Sequence, residues 1–211
     1  MRNWLPLCFA CLAAALSAAP AQAQYIFLDV DGDQACTSLD FPPFETGHVS
    51  VWLDTAHNAD GEPATCATGE DLTIGGYELV FGLVDISVTA WGNFRPEFPQ
   101  VTGIASEPGY FHIGLSSGGS TYLPAGLYKL GELVTSSSNG CAVIQILASA
   151  VVQGEARTTG FRTQCLGTDG DYMERLGVEF ADKCGINRIC DDADDPTSTT
   201  WGKIKALYRG K

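Results

Sequence analysis

The chain has 211 residues, 25 acidic against 12 basic, a formal charge of −13 and a hydrophobic share of 45%. A body this anionic repels nucleic acid and anionic lipid, which argues against phosphate-binding functions, while its apolar content suffices for one packed domain. The charge is also uneven: every acid lies between Asp29 and Asp195, whereas Lys203, Lys205, Arg209 and Lys211 crowd the C-terminus.

From the N-terminus, Arg2 precedes an apolar stretch from Leu5 to Ala19, then Pro20 and Ala21-Gln22-Ala23. That order reads as a secretory signal peptide over residues 1–23 with cleavage after Ala23. The stretch falls short of the roughly 20 apolar residues of a membrane-spanning helix, and Cys8 and Cys11 lack the approach sequence of a lipid-modified cysteine. The expected location is outside the cytoplasm: extracellular, cell-surface or periplasmic. The cysteines left after cleavage, Cys36, Cys66, Cys141, Cys165, Cys184 and Cys190, are even in number, as a disulfide framework in an exported protein requires. Nearness along the chain suggests the pairs Cys36–Cys66, Cys141–Cys165 and Cys184–Cys190. Zinc is a poor rival, because no two of these cysteines have a knuckle's two-residue gap and His48, His57 and His112 are scattered.

The first local motif runs from Asp29 to Asp40. Oxygen side chains at Asp29, Asp31, Asp33, Thr37 and Asp40, with the backbone carbonyl of Ala35 between, follow the ligand order of an EF-hand calcium loop. Gln34 stands where such loops carry glycine, and Asp40 is one methylene shorter than the usual bidentate glutamate. Over these 12 or so residues the chain resembles the calcium loops of dockerins, although Pro42-Pro43 forbids the helix that follows those loops. The competing reading is a solvated acidic turn. A second oxygen-rich segment, Asp54, Asn58 and Asp60, follows the next strand and could complete or duplicate the first site if Cys36 and Cys66 were bonded.

Strand signals dominate onward. His48 to Asp54 alternates, with Val49, Val51 and Leu53 on one face and Trp52 on the other. Tyr77 to Leu83, Val84 to Val88, Phe111 to Leu115 and Leu127 to Thr135 repeat the pattern. The apolar run Ala142 to Val152 fits a central strand or a buried helix. Turn clusters separate them at Gly75-Gly76, Gly92-Asn93, Glu107-Pro108-Gly109, Ser116 to Ser120, Pro124-Ala125-Gly126 and Asn139-Gly140. This spacing predicts an all-β fold: one antiparallel, disulfide-stapled sandwich of immunoglobulin-like or jelly-roll type over residues 24–190. Residues 191–200 read as an acidic, polar linker. Residues 201–211 read as a short amphipathic helix, capped by Thr200, able to serve as a sorting or docking tag towards a secretion or anchoring partner. This ending resembles the tails of certain exported bacterial proteins.

The strand order, with Ile74-Gly-Gly-Tyr-Glu-Leu-Val-Phe81, Phe111-His-Ile-Gly-Leu115 and Leu123 to Leu133, resembles a cohesin-like sandwich, a relative of carbohydrate-binding modules, over residues 48–150. The resemblance implies a secreted, non-catalytic binding or adhesion module, calcium-stabilised, recognising a protein or a polysaccharide at the cell surface. Trp52, Trp91, Tyr110 and Tyr122 are the aromatics that could face such a ligand. Alternatives are a structural subunit of a surface fibre or layer, and a small glycan-active hydrolase whose paired carboxylates no motif selects. Gly114-Leu-Ser116-Ser-Gly118 has the letters of a hydrolase nucleophile elbow, but no histidine follows it and no helix begins there.

Overall fold

The computed structural model describes residues 24–37, 47–58, 60–66, 69–119, 121–137 and 142–165, and the backbone of three short strands beyond them. The expected signal peptide, linker and terminal helix lie outside these residues, as do Asp40 and the Cys184–Cys190 pair. Every regular element among the described residues is a strand. In chain order they are β1 (Gln24–Asp29), β2 (Gly47–Asp54), β3 (Gly76–Val84), β4 (Ile86–Gly92), β5 (Gln100–Glu107), β6 (Tyr110–Ser116), β7 (Leu127–Ser137), β8 (Val143–Leu147), β9 (Ser149–Val152), β10 (Glu155–Thr158), β11 (Gly160–Arg162), β12 (Arg175–Leu176), β13 (Val178–Phe180) and β14 (Ile186–Arg188).

Two sheets face each other. One has the order β13-β1-β2-β7-β4; in the other, β3 pairs β6 on one side, with β5 beyond it, and both β8 and β11 on the other. All pairings are antiparallel except that of β1 with β13, which is parallel. The inner faces supply the core: Val49, Val51 and Leu53 from β2, Tyr77, Leu79 and Phe81 from β3, Phe111, Ile113 and Leu115 from β6, and Leu130 and Leu133 from β7. These are the inward residues of the alternating runs, so the pleat converts a period of two directly into a buried face.

Three features depart from the expected pattern. The run from Tyr77 to Val88 is two strands in different sheets, because Asp85 takes a left-handed backbone (φ 52°) and turns the chain across. The run Ala142 to Val152 is neither one strand nor a helix. β8 pairs with Val80–Val84 of β3; the chain then leaves the sheet as the hairpin β9–β10 and returns as β11, which pairs with Gly76–Glu78 of the same strand. A two-residue turn makes this excursion tight: Gln153 and Gly154 both have positive φ (51° and 81°), matching the primed turns that suit strand twist. The third departure is in the disulfides. Cys66 bonds Cys165, which overturns both the Cys36–Cys66 and Cys141–Cys165 pairings. The same two segments also meet through hydrogen bonds: Thr73 N donates to Thr163 Oγ1 and Gln164 N donates to Thr73 Oγ1. Nearness in sequence therefore misjudged nearness in space. Cys36 is also disulfide-bonded, with a partner outside the described residues.

Candidate functional site

The end of β1 delivers Asp29 to the outer face of its sheet, and the chain then curls back over that face. Asp29 is buried. Its Oδ1 accepts from Gly32 N at 2.6 Å, and its Oδ2 accepts from Gln34 N at 3.2 Å and from Trp52 Nε1 at 2.9 Å. Further along, Asp31 Oδ1 accepts from Asp33 N and Asp33 Oδ1 from Ala35 N. These carboxylates therefore direct the turn by bonding backbone amides two to five residues ahead. The turn closes because Gln34 adopts a left-handed φ of 64°, the conformation for which a glycine had been expected at that position. A non-glycine residue there costs roughly 1–2 kcal/mol, a cost opposed by the hydrogen bonds of Asp29.

The result gathers ligand oxygens. One carboxylate oxygen from each of Asp29, Asp31 and Asp33 lies within 4.8 Å of the others, with Asp31 and Asp33 exposed. Three hard oxygens of like charge at that separation are suited chemically to a divalent cation of the calcium type, and their retained lone pairs remain available for one. Ala35 and Thr37 follow on the same loop, Ala35 exposed and Thr37 half-buried.

Beneath the loop is an apolar patch that explains Trp52. Phe27, opposite Trp52 in the β1–β2 register, is 1% exposed although it points away from the sandwich core. Tyr25 stacks on it with ring centroids 5.5 Å apart, and Trp52 and Cys36 complete the cover. The outer face of β2 is thus partly covered at its Trp52 end, and Trp52 serves Asp29 through its indole N–H. Burial, together with the Asp54 carboxylate, pushes the Tyr25 phenol above its ordinary pKa. Further across the same outer face, Glu132 receives hydrogen bonds from Lys129 and Asn93 and lies 3.3 Å from His48 Nδ1. Burial raises its carboxyl, but the Lys129 and Asn93 hydrogen bonds and the Lys129 and His48 charges bring it below the ordinary carboxylate value.

In the second oxygen-rich segment the carboxylates bond their own loop. Asp54 turns inward onto its own loop, its Oδ1 accepting from Ala56 N and His57 N and its Oδ2 lying 3.1 Å from His57 Nδ1. Asp60 Oδ1 accepts from Glu62 N. Among the described residues, the acids that gather as a ligand group are Asp29, Asp31 and Asp33 alone.

The other proposed ligand-facing aromatics also have packing partners. Trp91 points into the sandwich, not out of it: its ring lies against Gly131, where a Cβ would stand 2.4 Å away, and close to Tyr77 and Phe81. Gly131 is obligatory for that reason. Tyr122 covers Gly75 in the same manner. Tyr110 packs on a small cluster formed by Val80, Ala105 and Val152.

That cluster marks where the β9–β10 hairpin lies over the outer face of the second sheet. His112 is buried on that face, with Nε2 2.9 Å from Glu78 Oε1. Where β8 leaves β3 and before β11 rejoins it, Thr159 Oγ1 accepts from Val80 N at 3.0 Å and donates to Leu147 O at 2.6 Å. A side chain thereby satisfies the amide that the departing strand abandons. Neither this hairpin nor strand β5 was legible as a feature beforehand. The turn Gln153-Gly154 after Val151-Val152 was the available signal for the hairpin.

No family model and no curated protein matches the chain. Among solved structures, a cohesin module from a family 33 glycoside hydrolase of Clostridium perfringens ATCC13124 aligns with a TM-score of 0.42 at 10% identity, covering 75% of this chain and 98% of that one. Agreement at that level assigns this chain no ligand and no site residue. The β-sandwich itself stands on the pairings described above.

Proposed function

We propose that this protein is a secreted, non-catalytic binding module, stabilised by calcium at Asp29, Asp31 and Asp33, that docks a protein or polysaccharide at the cell surface. One observation carries the docking reading. Of the large apolar side chains left exposed, Val101 and Ile104 lie on β5, at 59% and 62% exposure, and Val151 lies on the adjacent hairpin at 62%. Two exposed apolar side chains on one strand of an otherwise anionic, stapled body offer a contact surface. The disulfide Cys66–Cys165 and the antiparallel pairing hold that surface on a rigid frame, which lowers the ordering cost of binding. The buried ionisable pair His112–Glu78 sits beneath the hairpin cover.

Glycan and protein arrays probed with the wild type and with Val101→Lys and Ile104→Lys test this reading. Saturable binding weakened by both lysines supports it, while turnover of any glycan, or no binding at all, overturns it. For the cation, extracellular oxygen sites of this charge bind at roughly 10⁻⁴–10⁻³ M. Chelation should lower the melting temperature, and the double variant Asp31→Ala/Asp33→Ala should melt identically with calcium or chelator. A wild-type melting curve indifferent to calcium removes the site.

A further inference from the structure

The bond Cys66–Cys165 accounts for two cysteines, and Cys36 is bonded to a cysteine outside the described residues. Cys8 and Cys11 fall within the expected signal peptide, so the candidates for Cys36 are Cys141, Cys184 and Cys190. Strand register separates the three. β14 pairs antiparallel with β8, with Ile186 opposite Gln145, Asn187 opposite Ile144 and Arg188 opposite Val143. In an antiparallel ladder each step forward on one strand meets a step back on the other. Two steps beyond Arg188 and Val143, the register brings position 190 opposite position 141, and both are cysteines. Directly opposed residues of such a ladder share a face and have Cα atoms about 4.5–5.5 Å apart, inside the roughly 4.4–6.8 Å that a disulfide spans.

Removing that pair leaves Cys184 for Cys36, and the other sheet supports the match by itself. β13 runs parallel to β1, with Val178 opposite Gln24 and Phe180 opposite Ile26, so it points towards the end of β1 from which the acidic loop starts. Cys36 comes back from that loop to pack on Phe27, the residue after Ile26. Neighbouring strands lie about 4.8 Å apart, and the chain from Phe180 to Cys184 extends at most about 14 Å, which brings Cys36 within reach. Cys141 and Cys190 are each two residues from a strand of the opposite sheet, whereas Cys36 packs on the outer face of the first. With facing sheets about 10 Å apart, a sheet and the core would stand between them.

We infer that the oxidised chain carries Cys36–Cys184 and Cys141–Cys190 beside Cys66–Cys165, in place of the Cys184–Cys190 pair that nearness in sequence suggests. Each bond forms as two thiols give up two protons and two electrons to the disulfide of an oxidising dithiol protein in the exported compartment, which is released as two thiols. β13 and β14 have three residues each, at the lower limit of strand length. Each is then fastened covalently beside the strand it joins, and the acidic loop is tied to the segment after β13.

Peptide mapping of the full chain, produced by export and with free thiols blocked before digestion, tests the inference. Trypsin cuts after Lys183 and Arg188 and so parts Cys184 from Cys190, while a glutamate-specific protease cuts after Glu45 and Glu62 and parts Cys36 from Cys66. The expected mass spectra contain the linked peptides of Cys36 with Cys184, Cys66 with Cys165 and Cys141 with Cys190, each lost on reduction. A peptide linking Cys184 to Cys190, or Cys36 to Cys141 or Cys190, overturns the inference, as does a blocked thiol at Cys141, Cys184 or Cys190. Single variants give a second readout: Cys190→Ser should leave one reactive thiol at Cys141, and Cys184→Ser one at Cys36. A thiol that appears at Cys36 in Cys190→Ser also overturns it, and should either variant fail to fold, the map of the wild type decides.

Discussion

Each sheet carries a cover over part of its outer face, but by opposite means. Over β1 and β2 the cover is the acidic loop itself, seated on Phe27, Tyr25 and Trp52 and tied down through Asp29 and the bonded Cys36. Over β3, β5 and β6 the cover is a hairpin cut into the strand line β8–β11, its Val152 seated on Val80 and Ala105, and sealed by Thr159. The first cover brings carboxylates together and leaves Asp31 and Asp33 exposed, so on the proposed function its stability should respond to calcium. The second is held by apolar contact, by Thr159 and by the hydrogen bonds of Gln153 to Ser106 O and the Glu107 carboxylate, without a gathered group of acids, so it should be indifferent to calcium.

The largest effect that separates the two is expected from Phe27→Ala. Emptying a fully buried phenylalanine site costs about 3–5 kcal/mol. If the acidic loop depends on that patch, the variant should also lose most of the melting difference between calcium and chelator. Thr159→Val is the matching change on the other face. It keeps the shape, strands the Val80 amide and should cost about 1–3 kcal/mol, with faster hydrogen exchange at Val80 and an unchanged response to chelation. Equal responses of the two variants to chelation would dissolve the distinction between the covers.

The smallest effect concerns acid. The Glu132 carboxyl is held below its unfolded value, so its contribution is present above the ordinary carboxylate range and is lost as the pH falls through the depressed value. Glu132→Gln should therefore lower stability near neutrality and make it less dependent on pH in the acid limb, by an amount small enough to require direct comparison of melting curves. The Glu132 cluster is on the same outer face as the acidic loop, so this acid loss should leave the hairpin's exchange protection untouched.

How far the sequence reached can be judged element by element. Val49, Val51 and Leu53, or Phe111, Ile113 and Leu115, announce their strands because a two-residue period needs only local information. The acidic loop was legible for the same reason, since its carboxylates bond amides within five residues of themselves. Trp52 was not: its partner Asp29 is 23 positions away, and only the β1–β2 register brings them together. Strand β5 went unread because its bulge and its exposed Val101 and Ile104 break the alternation by which strands are recognised.

The sequence alone thus determined the all-β class, the strands of uninterrupted alternation and the carboxylate spacing of one loop, each a property of short segments. Tertiary structure decided the partner of Cys66, the exit of β9–β10 from the sheet, the parallel seat of β13 and the inward turn of Trp91. Those outcomes depend on which distant strands pair, and pairing register is set by the collective burial of many side chains, which no local pattern encodes.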